Sequence, residues 1–241
     1  MIPEYAATYR DLYERHWWWR ARESMLLREI EGHRPAAGWG SILDVGCGDG
    51  LFFDRLARFG EVWGVESDET LVPAGSRHRA RIHLGSFDST FQPGRRFGLV
   101  LMLDVLEHLE DPVAALRKAA GLLEPGGRVL IAVPAFQALW TSHDDLNRHF
   151  VRYRRRSLNP LIAQAGLRIL MERYFFHWLV PVKLGLRALE RFGVVPNAPA
   201  TVPPPWLNRV LVGVTQVEQM TIGRLGLPFG SSLLAWCEAA A

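Results

Sequence analysis

The segment Leu43-Asp44-Val45-Gly46-Cys47-Gly48-Asp49-Gly50 constrains this chain more than any other, because it joins two different periodicities through closely spaced glycines. Before the glycines, Ser41 to Val45 is a short apolar run of strand length; after them, Leu51 to Phe59 repeats apolar residues at helical spacing. Glycines in such a turn allow positive φ and let a ligand approach the backbone where a Cβ would collide. In a parallel sheet this turn lies at the carboxyl edge, where ligands bind. A second apolar run, Glu61 to Val65, ends on Glu66. A carboxylate about twenty residues beyond the loop is placed to accept hydrogen bonds from two ribose hydroxyls.

Two features oppose a dinucleotide in this pocket. The third glycine comes one residue too early for G-x-G-x-x-G, and Asp44 sets a carboxylate immediately before the loop. A pyrophosphate would be repelled there, whereas an amino-acid ammonium would be attracted. Further along, Phe97 to Asp104 is followed by VLEHLEDP, and Leu122 to Pro134 reads LLEPGGRVLIAVP. Together with LDVGCGDG, these segments resemble the class I S-adenosylmethionine-dependent methyltransferases in order and spacing, over most of the chain.

That resemblance implies a Rossmann-like methyltransferase fold: α/β, doubly wound, with a mostly parallel seven-stranded sheet. It implies S-adenosylmethionine as methyl donor and S-adenosylhomocysteine as product. Asp44, Gly46, Cys47 and Gly48 would hold the methionine portion, with Glu66 and Ser67 at the ribose. Ser86 and Phe87 stand where the family has an acid and an apolar neighbour around the adenine; Ser86 departs from that pattern, and Asp88 is the substitute. Leu103 and Asp104 would lie under the methionine and sulfonium.

Length and charge agree with one enzyme-sized core. A chain of 241 residues, 49% apolar, is read as a single domain. The formal charge of +3 is spread along it, except for a basic cluster from Arg148 to Arg156 that suits a phosphate, an anionic membrane or plain solvation. Two cysteines, one inside the glycine loop, give neither a disulfide framework nor a metal-ligand set, so no metal is expected and the compartment reads as cytoplasmic. Charged residues interrupt the start, which excludes a secretory signal, and no apolar run approaches a spanning length.

Within 1–241 the spacing predicts an N-terminal helical cap (1–40), a cofactor-binding core (41–176), a helical insertion (177–228) and a final strand (229–241). In the cap, helical periodicity runs from Tyr5 to Ile30. In the core, strands and helices alternate, including helices over 51–59, 69–76 and 113–123, as a parallel sheet requires. The insertion, broken by Pro196, Pro199 and Pro203 to Pro205, reads as a substrate lid or plain packing. Alternatively, Tyr174 to Leu189 lies on a membrane surface, peripheral to its inner face, with Trp178, Leu179, Val182 and Leu186 beside Lys183 and Arg187.

Methyl transfer from a sulfonium needs alignment in a dry pocket and, for an oxygen acceptor, a base. The run HDDLNRHFVRY follows the fifth strand and resembles a pattern in one bacterial branch of the superfamily. It supplies His149, His143 and Tyr153 as catalytic candidates, with His149 first and a structural histidine as its alternative. His108, in the EHL signature, reads as a loop organiser. Trp17-Trp18-Trp19 either anchors the cap or closes over the cofactor, with Trp19 and Arg20 at the methionine carboxylate. No Asn/Asp-Pro-Pro-aromatic segment follows the fourth strand, so nucleic acid is set aside for a small, hydrophobic, lipid-like acceptor methylated on oxygen or carbon. The competing readings are a non-catalytic S-adenosylmethionine-binding or membrane-associated partner protein, and an NAD-dependent oxidoreductase, which Asp44 opposes.

Overall fold

A computed structural model describes residues 10–194 and 200–240, apart from the side chain of Arg224. Residues 5–9 of the expected cap helix, and Pro196 and Pro199 of the insertion, lie outside the described residues. Seven strands form one sheet: β1 (Ser41–Val45), β2 (Glu61–Glu66), β3 (Ile82–Leu84), β4 (Phe97–Leu103), β5 (Leu123–Pro134), β6 (Leu167–Phe175) and β7 (Ser232–Ala239). Their spatial order is β3-β2-β1-β4-β5-β7-β6, and the pairings β1–β2, β1–β4, β2–β3 and β4–β5 are parallel. This is the doubly wound α/β sheet that the resemblance implies. β1 and β4 are buried almost throughout, as expected for parallel strands covered on both faces.

The parallel register sets the carboxyl edge. Val45 pairs with Val65 on one side and Met102 on the other, so the chain leaves β1, β2 and β4 at the same level. Gly46 and Gly48 then turn the chain with φ of +70° and +54°. The following helix is shorter than the apolar spacing predicts: α3 covers only Phe53–Leu56. The reason is local, because Gly50 N–H, Phe53 N–H and Phe59 N–H each bond to the carbonyl three residues back, making tight turns at both ends. The helix expected over 69–76 is a single 3-10 turn, Glu69–Leu71, capped by Asp68 Oδ1 accepting from Thr70 N–H at 3.0 Å. Pro73 follows and cannot continue a helix.

The helix α4 (Pro112–Gly121) forms as its boundary residues predict. Asp111 Oδ1 accepts from Ala114 N–H at 2.9 Å, and Ala115, Leu116 and Ala119 are buried on its inner face. The segment Pro125-Gly126-Gly127 belongs to the start of β5. It forms a bulge between the pairs Phe97↔Leu123 and Leu99↔Arg128.

The chain divides into two compact units. The first comprises Met1–Leu26, Pro134–Arg154 and Arg173–Leu233; the second comprises Leu27–Val133, Arg155–Glu172 and Leu234–Ala241. The second holds most of the sheet, with α3, α4 and α6 (Arg155–Gln164). Its core includes Trp39 stacked on Trp236 at 5.8 Å, with Trp39 Nε1 donating to Ile30 O. The first holds a helical stretch over 10–15 (α1), most of α2 (Trp17–Gly32), α5 (Ser142–Leu146), α7 (Leu179–Arg191) and α8 (Pro205–Met220). There Trp19 and Leu12 form a small core with Tyr13, Trp18, Ala200 and Val202, so the segment before α8 packs on the cap helix.

Gly98 has a reason that the sequence does not disclose: a Cβ on it would collide with the Trp39 carbonyl oxygen. Gly98→Ala is expected to cost about 1 to 3 kcal/mol as overpacking. Gly213→Ala in α8, where a Cβ meets nothing within 4 Å, is expected to gain about 0.5 to 1 kcal/mol. Urea unfolding of the two variants checks both signs.

Candidate active site

The cofactor residues of the second unit gather where β1, β2 and β4 end. Glu66, buried at the end of β2, accepts from Gly48 N–H with Oε2 and from Asp68 N–H with Oε1, both at 2.9 Å. One backbone donor on each oxygen leaves acceptor capacity on both, which suits two ribose hydroxyls. A Cβ built on Gly48 meets nothing within 4 Å, whereas one on Gly46 would touch Val105 Cγ2 at 3.0 Å. The loop is therefore open on one side and closed on the other by Val105, the second residue after β4. Asp44 is buried on β1 just before it. These residues fit a nucleoside carrying a cationic amino-acid arm, which would lie along Asp44 with its ribose on Glu66.

Cys47 contributes backbone and packing rather than thiol chemistry. Its sulfur lies where a Cβ on residue 64 would be, so Gly64 is glycine to admit it. Burial pushes the thiol pKa far up, and the nearby Asp44 and Glu66 carboxylates add to the shift. Asp104 follows β4 with φ of +57°, a region non-glycine residues rarely occupy, and donates its N–H to Ala132 O at 2.8 Å. Such backbone conformations gather at functional sites. Leu103 is half-buried at the strand's end, Ser67 and Ser86 are exposed, and Phe87 packs on Phe91 at 5.7 Å. Asp88 Oδ1 accepts from Thr90 N–H and Oγ1, which holds its pKa below the usual range.

The run after β5, in the first unit, is organised by one buried carboxylate. The Thr141 to Asp144 capping box starts α5, and Asp144 is fully buried. Arg152 donates to it twice, Nε to Oδ1 at 2.8 Å and Nη2 to Oδ2 at 2.9 Å. The His149 ring Nδ1 lies 2.8 Å from the same Oδ1. Burial by itself would raise the Asp144 pKa; the His149 hydrogen bond and the Arg152 guanidinium outweigh it, so the carboxylate stays ionised. With Asp144 ionised, Nδ1 carries the proton and Nε2 becomes the basic nitrogen. Thus Arg152 is no surface cation awaiting a phosphate: it is buried, a role its place in a basic run conceals. Arg155 is likewise paired, with Glu172 at 3.2 Å, and Arg154 lies over the Phe136 ring.

His143 and Tyr153 occupy different environments. Burial, then Lys183, lowers His143 to about 3, making it a weak base near neutrality. Tyr153 is buried and pairs strand-like with Ala135, its N–H donating to Pro134 O at 2.8 Å. In the cap, Trp19 is buried edge-on to His16 at 5.1 Å, while Arg20 is exposed. Trp17 rests on Trp178 at 5.4 Å. His16, to which the sequence draws no attention, is buried, accepts from Trp18 N–H at 3.1 Å, and is lowered to about 4 by desolvation. His108 is exposed beside the fully buried Glu107.

A glycine loop held by a strand-end carboxylate at the edge of a parallel sheet defines an α/β nucleoside-binding protein of methyltransferase type. The chain belongs to the methyltransferase-domain family, whose model matches residues 8–172. It is 36% identical over 107 residues to a ubiquinone biosynthesis O-methyltransferase of Ruegeria pomeroyi, covering 42% of this chain and 43% of that protein. It is 29% identical over 119 residues to the protein of that name from Coxiella burnetii, covering 46% of each. The matches therefore span under half the length of these relatives. Among solved structures, the methyltransferase complexed with the Haloferax volcanii Trm112 activator superposes with a TM-score of 0.59 at 17% identity, over 99% of this chain and 95% of that one. An S-adenosylmethionine-dependent methyltransferase of Clostridium acetobutylicum gives 0.56 at 10% identity, over 92% of each. Both show the fold.

Glu66→Ala is expected to weaken S-adenosylmethionine binding by about 1.5 to 3 kcal/mol, the range for hydrogen bonds to a charged group. Calorimetric titration of both proteins tests this, and equal affinities would remove the ribose role. A second expectation concerns acid stability. Against an ordinary value of 6.5, His143 at about 3 and His16 at about 4 take up protons only when the chain unfolds. Stability should be level above about pH 7 and fall as the pH drops from about 6.5 towards 4. Unfolding curves of the wild type and His143→Gln across that window should show the shallower fall in the variant.

Proposed function

We propose that this protein transfers the methyl group of S-adenosylmethionine to a hydroxyl of a small, hydrophobic, lipid-like acceptor, with His149 as general base. The observation that carries the proposal is the His149–Asp144–Arg152 array. The Asp144 carboxylate, kept ionised by Arg152, fixes the imidazole with Nδ1–H towards it and stabilises the imidazolium that forms. S-adenosylmethionine supplies a methyl group on a cationic sulfonium. As the acceptor oxygen bonds to that methyl carbon and the sulfur–carbon bond breaks, the hydroxyl proton passes to His149 Nε2. No metal enters this scheme. His143, a weak base, shapes the pocket beside His149, and Tyr153 anchors the segment.

Oxygen is chosen over carbon because the curated relatives are named O-methyltransferases of ubiquinone biosynthesis. That name also supports a lipid-like acceptor, and with it a peripheral position at the cytoplasmic face of a membrane. No described helix is long and apolar enough to cross one. Within the donor pocket we assign Asp44, Gly46, Cys47, Gly48, Leu103 and Asp104 to the methionine end, Glu66 and Ser67 to the ribose, and Ser86 and Phe87 to the adenine.

The test is transfer of labelled methyl to phenols and catechols bearing apolar tails. His149→Gln is expected to lower kcat by about 10²- to 10⁴-fold, the usual worth of a general base, with donor affinity unchanged. An unchanged kcat would assign the proton to another group. Binding without turnover by the wild type on every acceptor would favour the non-catalytic reading.

A further inference from the structure

One helix of the first unit, α8, is turned inside out, and its neighbour in sequence, α7, also exposes an apolar row. On α8, Asn208, Thr215, Glu218 and Gln219 are its buried residues. Spaced seven, three and one apart, they line one side, and Asn208 and one oxygen of Glu218 are hydrogen-bonded there: Trp17 N–H donates to Asn208 Oδ1 at 2.6 Å, Asn208 Nδ2 donates to Arg15 O at 2.7 Å, and Glu218 Oε1 accepts from the N–H and the ring of His177 at 2.6 and 2.7 Å. The opposite side carries Trp206, Val210, Val214, Val217 and Met220, all exposed, Trp206 by 65% and Val217 by 61%. A helix on a globular surface normally has these sides reversed.

Helix α7 buries only the apolar Leu179, but charged residues anchor it. Arg187 Nη1 donates to the carbonyls of Gln137 and Ala138 at 3.1 and 2.6 Å, and Glu190 accepts from Ser142 Oγ at 2.8 Å. Those charged residues, spaced three apart, hold α7 in place, while Val182, Leu186 and Leu189, spaced four and three apart, are exposed. Fourteen of the sixteen large apolar side chains exposed among the described residues lie between Val182 and Phe229. Tyr174 and Leu179 are buried, so the outward surface begins at Val182, beyond the start of the stretch that the sequence suggested.

We infer that the outer sides of α7 and α8 form a docking surface for an anionic lipid bilayer, lying in its headgroup region. The inference deepens the peripheral position proposed above and rests on it for its purpose. Charge selects the occupant. Residues 177–228 contain Lys183, Arg187, Arg191, Arg209 and Arg224 against Glu190 and Glu218, a net +3 that equals the formal charge of the whole chain. Both acids are tied inward, to Ser142 and to His177, and Arg187 is bonded to the Gln137 and Ala138 carbonyls, which leaves Arg191 and Arg209 as exposed cations on these helices. A second copy of this chain would bring like charge against like, whereas an anionic headgroup layer brings the opposite sign and accepts apolar side chains between the cations. Neither helix is long and apolar enough to cross the membrane.

The experiment is co-sedimentation of the full chain with vesicles of phosphatidylglycerol and phosphatidylcholine in equal parts, beside vesicles of phosphatidylcholine alone. Binding to the anionic vesicles is expected, with loss as salt rises. Val210→Asp with Val217→Asp should weaken it by about tenfold or more, since each removes an apolar side chain from the layer and adds a repelled charge. Both positions are exposed, so calorimetry with S-adenosylmethionine should give wild-type affinity, which separates failure of this surface from failure of the donor site. The emission of Trp206 should shift to the blue on binding, and Trp206→Phe should remove that part of the shift. Equal binding by the aspartate variant, no binding by the wild type, or a stable dimer that the aspartates dissolve while vesicles stay unbound would each overturn the inference.

Discussion

The hydrogen bond from Gly48 N–H to Glu66 connects the ends of two neighbouring strands through a buried carboxylate. Parallel pairing of β1 and β2 brings the two residues to the same edge, and neither turn sequence alone could do so. The contact explains two features together. It holds the glycine loop in its positive-φ path, and it fixes the Glu66 oxygens, so that the ribose proposed there would meet acceptors that need no rearrangement. Such pre-organisation lowers the ordering cost of binding. The second carboxylate oxygen, held by Asp68 N–H, stiffens the arrangement from the other side.

Asp144 plays the matching part in the first unit, by a different balance. A fully buried carboxylate is costly unless its charge is compensated, and here Arg152 supplies a bidentate counter-charge while His149 takes the third hydrogen bond. Arg152 and His149 thus share one carboxylate, the guanidinium through two hydrogen bonds and the imidazole through one. Burial instead lowers the pKa of His143 and His16.

The sheet and the glycine turn after β1 are legible in the sequence because each is written in local chemistry. Continuous apolar runs bounded by glycine mark buried parallel strands, and a carboxylate after the second run has few structural reasons to be there. Short helices are less legible: apolar spacing from Leu51 to Phe59 is equally compatible with consecutive tight turns, and Pro73 overrules the helical spacing at 69–76. Gly98 and Gly64 cannot be understood from neighbours in sequence, since the atoms that require them, the Trp39 carbonyl and the Cys47 sulfur, come from other segments. Arg152 is concealed for a related reason. In a run of arginines nothing local distinguishes the one that a buried aspartate eight residues earlier will claim.

The insertion shows a more general limit of periodicity. An amphipathic pattern states that a helix has two sides, but the choice of inward side depends on what the rest of the chain offers. In α8 the backbone groups of Trp17, Arg15 and His177 offer hydrogen-bond partners, and these draw Asn208 and Glu218 inward. Turning the helix by half a turn would bury its valines yet strand those partners, and an unmet buried polar group costs about 1 to 3 kcal/mol. Leaving a valine in water forgoes a transfer gain of similar size, about 1.5 kcal/mol or more. The two orientations are therefore close enough in energy for an external apolar phase to decide between them. With the valines offered to lipid, the transfer gain and the hydrogen bonds are realised together.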